Sequence, residues 1–91
     1  MTITIQVPAV LRKYCAGSAT IPAAASSIRA ALDDLERSHP DLYRSVCDET
    51  GMVRRHVNLF VNSAHMCDCE GIDTILVAGD VLTILPAVSG G

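Results

Sequence analysis

The chain has 91 residues, a formal net charge of -3 and a hydrophobic content of 49%. This length suits one domain, and no apolar run approaches the roughly 20 residues of a membrane span. With seven basic residues, two tyrosines and one phenylalanine, the sequence lacks the basic stripe and stacking rings of a nucleic-acid binder. Neither nucleic acid nor a membrane is therefore expected as a partner. The start of the chain does not resemble a secretion signal, which predicts a cytoplasmic protein whose four cysteines are reduced.

Hydrophobic periodicity predicts two strands near the start of the chain. Ile3, Ile5 and Val7 alternate with polar residues, which is typical of a half-buried strand. A weaker strand is predicted over residues 19–22, after a long loop that ends at the turn signal Gly17-Ser18. Together these two strands predict an N-terminal hairpin.

The clearest helix comes next. Ser26 or Ser27 can cap it by accepting a hydrogen bond from an early backbone N–H. Apolar residues then recur with helical spacing: Ile28, Ala31, Leu32 and Leu35. Pro40 is expected to stop the helix, because proline pushes the preceding residue out of helical geometry. Residues 41–47 are expected to add one short turn that faces Leu42 and Val46 to the core.

The second half of the chain predicts more strands. Residues 57–61 alternate so that Val57, Leu59 and Val61 face inward and Phe60 faces outward. Asn62-Ser63 predicts a turn.

The rest of the second half is expected to be irregular before it ends in one more strand. Residues 64–77 predict a short edge strand and a helical turn near 73–76, and Gly79-Asp80 leads into a final strand over 80–85 that buries Leu82 and Ile84. Strands, one main helix and then strands predict an α+β domain with the helix packed on one sheet face.

His65-Met66-Cys67-Asp68-Cys69 is the most metal-like cluster. In an extended segment, alternation would place His65, Cys67 and Cys69 on one face as three soft ligands. Structural zinc sites are more often built from two paired elements, and no second pair appears in the sequence. A cysteine-bearing loop without metal is therefore the favoured interpretation. Cys15 and Cys47 lie beside apolar residues and are expected to be small buried hydrophobes.

An outward Phe60 raises the question of a docking surface. If the last strand is its neighbour, apolar and small residues surround it, with basic residues at the rim. The candidate docking residues are Phe60, Val81, Thr83, Leu85, Arg54 and Arg55. A single exposed apolar residue is common, whereas a contiguous patch marks a partner site. Both interpretations stay open at this point.

The sequence ends in Gly90-Gly91, and residues 86–89 separate these glycines from the predicted strand over 80–85. With glycine usage of roughly 7%, about 0.5% of chains would end this way by chance. A frayed end and a reactive tail are the two interpretations. Glycines lack a Cβ, so a tail containing them can enter a passage too narrow for side chains. Fully extended, Pro86 to Gly91 would reach about 20 Å.

Three segments carry a resemblance to a known family: Ile3-Thr4-Ile5-Gln6-Val7-Pro8, Val57-Asn58-Leu59-Phe60-Val61-Asn62, and Gly79 to Gly91. The chain resembles ubiquitin-like β-grasp proteins and, more narrowly, the prokaryotic sulfur carriers of the ThiS/MoaD family. The Gly-Asp before the last strand and the Pro-x-x-x-Gly-Gly after it are the most specific features. The resemblance implies a mixed sheet of four to five strands with one main helix across it. It also implies a domain over residues 1–85 and a flexible tail over 86–91.

The resemblance implies a protein cosubstrate rather than an enzyme. An E1-like adenylyltransferase would bind the carrier and consume ATP and Mg to adenylate the terminal carboxylate of Gly91, and a sulfur donor would then displace AMP to leave a thiocarboxylate. A carboxyl terminus has a pKa near ~3.5 and is ionised at neutral pH, so it needs such a leaving group before sulfur can attack. The family implies no intrinsic cofactor or metal. The tail residues that partners would recognise are Pro86, Ala87, Val88, Ser89 and Gly90.

Several functions compete within and beyond this family. The run before the final glycines resembles carriers coupled to cysteine synthases, in which a PLP enzyme consumes the thiocarboxylate and a metalloprotease releases cysteine from the tail. Related carriers serve sulfur-containing secondary metabolites. The alternative is the small subunit of molybdopterin synthase, which often has an aromatic residue where this chain has Leu85, and thiazole-pathway carriers are usually shorter. A different class is a ubiquitin-like interaction or conjugation module without sulfur chemistry.

Overall fold

The computed structural model describes residues 2–55, 57–62, 64–65 and 71–86. Five strands form one mixed sheet: β1 (Ile3–Gln6), β2 (Thr20–Ala23), β3 (Val57–Val61), β4 (Ala64–His65) and β5 (Val81–Pro86). Their order across the sheet is β2-β1-β5-β3-β4. The central pair β1 and β5 is parallel, and every other neighbouring pair is antiparallel. The first and last strands therefore run side by side in the same direction, and their carboxyl ends lie at the same end of the sheet.

Two helices cover one face of this sheet. Helix α1 spans Ile28–Ser38, and its first turn is capped by Ser27, whose Oγ accepts a hydrogen bond from the Ala30 N–H at 3.1 Å. Such a cap satisfies one of the backbone donors that a helix start leaves open. The predicted apolar stripe is buried and packs on the sheet: Ile28, Ala31, Leu32 and Leu35. The predicted α+β arrangement is confirmed.

Helix α2 (Pro40–Val46) is longer than the single turn expected from the sequence. Pro40 ends α1 and also begins α2, because proline lacks only an N–H that the first helical turn leaves unpaired. Leu42 and Val46 are fully buried, as predicted. The second helix thus extends the cover of the core.

The loop of the N-terminal hairpin contains a 3₁₀ helix over Ala9–Cys15. It ends where Ala16 and then Gly17 adopt left-handed backbone angles, with φ of 57° and 81°. Leu11 packs against the core and Cys15 is buried, so this loop closes one end of the sheet. The sequence predicted the loop but not its helical turns.

The region before β5 differs from its predicted form. The 3₁₀ turn covers Gly71–Asp73 rather than 73–76. The chain beyond it is extended alongside the start of α1, with hydrogen bonds from the Leu76 N–H to the Ser26 carbonyl and from the Ile28 N–H to the Thr74 carbonyl. Leu76 is buried by this arrangement.

The core side of β3 and β5 follows the predicted alternation. Val57, Leu59, Leu82 and Ile84 are buried, whereas Val61 is only partly buried because it lies near the short edge strand β4. Strand β5 continues through Pro86, so the expected division between domain and tail at 85–86 falls inside the strand. Among the described residues, no helix is long and apolar enough to cross a membrane.

Candidate functional site at the outer sheet face

The sheet face opposite the helices carries the predicted docking residues of β3 and β5. Because Leu82 and Ile84 point into the core, the alternating residues Val81, Thr83 and Leu85 lie on the outer face. The strand register pairs Phe60 with Thr83, so Phe60 lies beside the middle of β5. We name the set Phe60, Val81, Thr83 and Leu85 the outer patch.

The outer patch is part apolar and part polar. Leu85 is 44% exposed, and Phe60 is half-buried. The Thr83 hydroxyl donates to Oε1 of Gln6 on β1 at 3.2 Å, which joins the patch to the neighbouring strand. An apolar area with polar groups at its edge is typical of a protein-binding surface.

A hydrogen-bonded corner fixes the start of β5. Asp80 accepts from the Val77 N–H through Oδ2 and from the Asn62 side-chain amide through Oδ1. Asn62 in turn accepts from the Val81 N–H at 3.1 Å and adopts a left-handed φ of 56°, which asparagine tolerates better than most residues. Gly79 precedes this corner with a φ of 90°. The two separately predicted turns, Asn62-Ser63 and Gly79-Asp80, are thus joined through Asn62 and Asp80.

The end of β5 is the root of the tail, and it is held by the start of β3. Val57 pairs with Pro86, so the first residue of β3 lies beside the point where the tail begins. The Arg54 backbone N–H donates to the Val46 carbonyl, and its Nε donates to the Arg44 carbonyl at 2.8 Å. These bonds tie Arg54 to helix α2 rather than to the rim of the outer patch, where the sequence had placed it. Arg55 is exposed.

A groove of about 320 Å³ lies at the same end of the sheet, and we name it the tail-root groove. Its floor is made by the ends of β1, β2 and β5, and one wall comes from the hairpin loop. The residues that line it are Gln6, Val7, Pro8, Arg12, Ala19, Thr20, Thr83, Ile84 and Leu85. Arg12 is half-buried, and its Nε donates to the Val7 carbonyl at 3.0 Å. Sequence reasoning missed Arg12, because its anchor is a backbone carbonyl that no side-chain pattern reveals.

The buried thiols lack the features of a nucleophile. Cys47 lies under a second cavity beside α2, where burial raises the pKa of its thiol to about 11 and the nearby Asp48 adds to the rise. Its hydrogen bond with Tyr43 lowers the pKa by less. A nucleophilic cysteine needs the thiolate, and this environment disfavours it. Cys15 is also a free, buried thiol.

Part of the predicted site lies outside the described residues. This applies to tail residues 87–91, including Gly90 and Gly91, and to Cys67 and Cys69 of the metal-like cluster. Among the residues that the structure does describe, no group of three or more His, Cys, Asp or Glu side chains could hold a metal ion. The tail and the 65–69 cluster therefore remain sequence-based predictions.

Comparison with known proteins identifies relatives over the full length. A family model described as the ThiS family matches residues 5–91. The sulfur carrier protein CysO of Mycobacterium tuberculosis (strain ATCC 25618 / H37Rv) is 32% identical over 93 residues, which cover 100% of both chains.

Solved structures agree with this assignment. The crystal structure of Mycobacterium tuberculosis CysO has a TM-score of 0.86 and 31% identity, covering 94% of this chain and 99% of that one. A chain of the Amycolatopsis orientalis BexX/CysO complex has a TM-score of 0.88 and 30% identity, covering 98% and 99%. SAMP1 of Haloferax volcanii has a TM-score of 0.83 and 29% identity, with both chains covered completely. The predicted ubiquitin-like β-grasp fold is confirmed by these similarities.

Proposed function

The chain belongs to the ThiS family, and on that premise we propose that it is a sulfur carrier whose working group is the terminal carboxylate of Gly91. The supporting observation is the similarity to proteins named sulfur carriers over the whole of both chains. The family match extends to residue 91, so Gly90-Gly91 falls inside the matched region.

Two successive substitutions would load the sulfur. A carboxylate oxygen of Gly91 first attacks the α-phosphorus of ATP on an E1-like adenylyltransferase, and pyrophosphate leaves. A hydrosulfide ion from the sulfur donor then attacks the acyl carbon and displaces AMP, which leaves a thiocarboxylate and releases a proton. ATP and Mg are consumed by the activating enzyme, and this chain supplies the carbonyl group. A terminal carboxylate is a poor electrophile, and adenylation gives it a leaving group.

The fold supports this proposal because it holds the start of the tail and the outer patch in a defined arrangement. Pro86 lies opposite Val57 as the last residue of β5, so the tail starts from a defined position at the end of the strand. The outer patch lies on the face of β5 that ends at this same point. A partner that docks on Phe60 and Leu85 therefore receives the tail at a fixed distance. We propose Pro86 and residues 87–90 as the segment that it grips.

The relatives favour cysteine or sulfur-containing metabolite biosynthesis as the destination of the sulfur. CysO carriers are similar along their whole length, and one of them forms a complex with BexX. We propose a biosynthetic enzyme of the PLP-dependent cysteine synthase type as the acceptor, with a metalloprotease that releases cysteine from the tail. A molybdopterin synthase large subunit is the alternative acceptor. The chain would meet these partners in the cytoplasm.

A second candidate function is protein modification. SAMP1 of Methanosarcina acetivorans, named a small archaeal modifier protein, is 27% identical over 99% of this chain and 96% of its own. In that case the activated Gly91 would be transferred to a lysine amine of another protein. A stable isopeptide product would then replace the thiocarboxylate.

Pyrophosphate exchange tests the first step of the proposal. Labelled pyrophosphate should enter ATP when an E1-like adenylyltransferase, Mg-ATP and the chain are mixed. Gly91→Ala should fold normally yet lower the exchange rate about tenfold or more, because the added methyl group obstructs a narrow passage.

Ser45→Ala is the control, since it changes one small group at a half-buried position of α2, away from the tail. Its exchange rate should equal that of the wild type. An exchange rate of Gly91→Ala equal to the wild-type rate would contradict the role given to Gly91.

A further inference from the structure

The tail-root groove combines a polar floor with one cationic wall. Gln6 and Thr83 form a hydrogen-bonded pair across its floor, and Pro8 and Arg12 stand at the side of the hairpin loop. Leu85 closes the end nearest the tail. The groove is continuous with the outer patch, because Thr83 and Leu85 belong to both.

Arg12 is held in place while its charge stays available. The bond to the Val7 carbonyl uses Nε, which leaves the two terminal amino groups of the guanidinium as donors. Within the part of the chain that the structure describes, the arginine–carboxylate ion pairs involve Arg29, Arg37 and Arg44, and none involves Arg12. Among the residues that the structure describes, no Asp or Glu lines the groove. A fixed guanidinium without a carboxylate partner is well suited to bind one from another molecule.

We propose that the tail-root groove receives the carboxylate side chain of an acidic residue on the enzyme that holds the tail, with Arg12 as its partner. This inference rests on the proposed function. Leu85 is the last outward residue of β5 before Pro86, so an enzyme that grips the tail passes directly over the groove. In a chain of net charge -3, a fixed cation at this position also favours an acidic binding surface over a basic one.

Geometry argues against the nucleotide as the anion. In an enzyme that holds the tail extended, residues 87–91 span roughly 17 Å. The phosphates of ATP must reach Gly91, which places them at the far end of that span. The anion that contacts Arg12 therefore comes from the protein surface near the tail root.

The first test compares two charge-neutralising variants. Arg12→Gln should raise the Kd for an E1-like adenylyltransferase that charges the wild-type chain by about tenfold, in the range of a charge-assisted pair. Arg37→Gln makes the same change in charge on the exposed side of α1 and should leave the Kd unchanged. Raising the ionic strength should reduce the difference in Kd between the wild type and Arg12→Gln, because salt screens the ion pair. Equal Kd values for Arg12→Gln and the wild type would overturn the proposal.

A second pair of variants leaves Arg12 and its anchor intact. Thr20 is exposed on the edge strand and lines the opposite side of the groove. Thr20→Glu supplies a competing carboxylate and should weaken binding to the adenylyltransferase. Thr20→Gln has nearly the same size without the charge, so it should bind the enzyme more tightly than Thr20→Glu. Should Arg12→Gln fail to fold, identical binding by the two Thr20 variants would still contradict the inference.

Zero-length crosslinking identifies the chemical class of the ligand. The sequence contains a single lysine, Lys13, so the double variant Arg12→Lys, Lys13→Arg moves the only lysine amine into the groove at constant charge. A carbodiimide should join this amine to an Asp or Glu of the bound adenylyltransferase, as mapped by mass spectrometry. A stable complex with no bond at position 12 would rule out a carboxylate in the groove.

These experiments separate the two proposals. A wild-type chain that supports no adenylation contradicts the sulfur-carrier function itself. If the wild type is adenylated, and if Arg12→Gln and Thr20→Glu are adenylated as fast and bind the enzyme as tightly as the wild type, only the role of the groove is contradicted.

Discussion

Cys47 illustrates how burial sets the chemistry of one side chain. Its thiol is fully buried, and burial raises the pKa of that thiol from its usual 9.0 to about 11. The main cause is the loss of solvent around the thiolate, and the carboxylate of Asp48 adds to it. The predicted role as a small hydrophobe is confirmed by this environment. Sulfur chemistry by Cys47 itself is disfavoured.

The raised pKa makes stability depend on alkaline pH. The folded chain keeps a proton on Cys47 that the unfolded chain releases above pH 9.0, so folding is stabilised below that pH and loses this contribution towards pH 11. Burial also raises the pKa of Tyr43, which acts in the same direction. Urea unfolding between these pH values should show a decrease on the order of 1–2 kcal/mol in the free energy of unfolding.

Cys47→Ala is the control for this alkaline effect. It removes the titrating thiol, so its free energy of unfolding should fall less steeply between pH 9 and 11. If the free energy of unfolding falls equally with pH in the variant and the wild type, Cys47 is not the cause of the alkaline loss of stability.

Single residues were predicted from the sequence where a local pattern specifies them. The buried stripe of α1 and a serine cap at residue 26 or 27 depend on spacing within one helix; the stripe is confirmed, and Ser27 is the cap. Arg12 was not predicted as a site residue, and Arg54 was expected at the rim of the outer patch. Their guanidinium groups donate to the backbone carbonyls of Val7 and Arg44. Such partners are brought close only by the assembled fold.

The corner between β3 and β5 depends on two turns that lie far apart in sequence. Asp80 is its central acceptor, since it bonds both the Val77 N–H and the Asn62 amide. Asp80→Ala should lower the free energy of unfolding by about 1–2 kcal/mol, because two donors lose their partner. Urea unfolding at neutral pH would measure this loss.

Asp34→Ala is the matched control for the corner. Asp34 forms an ion pair with Arg37, whose side chain is 78% exposed, so removing its carboxylate should cost no more than about 0.5 kcal/mol. Equal losses for Asp34→Ala and Asp80→Ala would show that the corner adds no special stability to β5.

The outer face of β3 and β5 gives a separate prediction about binding. Phe60→Asp places a charge in the middle of the outer patch and should raise the Kd for the adenylyltransferase at least about tenfold. Because Phe60 lies opposite the core side of β3, the circular dichroism spectrum should stay that of the wild type. Isothermal titration would measure the Kd.

Met52→Asp provides the matched control for the patch. Met52 is 60% exposed and lines a cavity beside α1, on the helical side of the sheet. The same substitution there should leave the Kd unchanged. Equal affinity of Phe60→Asp and the wild type would remove the outer patch from the interface.

Strand alternation in the sequence predicted which faces of β1, β3 and β5 are buried, because a period of two assigns each side chain to one face. It could not predict the 3₁₀ helix of Ala9–Cys15 or the full length of α2. In the first, only Cys15 is fully buried, and the second is stabilised mainly by burying Leu42 and Val46 against elements distant in sequence. Tertiary packing decides such short helices more than local propensity does.

The architecture of the whole described sheet sets where the tail begins relative to the candidate docking surface. The parallel pairing of β1 and β5 in the middle of the sheet fixes the direction in which the chain leaves at Pro86. The outer patch and the tail-root groove are both reached from that end. The sequence predicted the terminal glycines and the patch, whereas the groove required the assembled strands.

Intact mass after charging tests the central claim most directly. The chain is incubated with an E1-like adenylyltransferase, Mg-ATP and a sulfur donor and then measured by mass spectrometry. Exchange of one carboxylate oxygen for sulfur should add about 16 Da to the wild type and nothing to a chain that lacks Gly91. An unchanged mass of the wild type, or isopeptide adducts in place of that increment, would contradict the sulfur-carrier function.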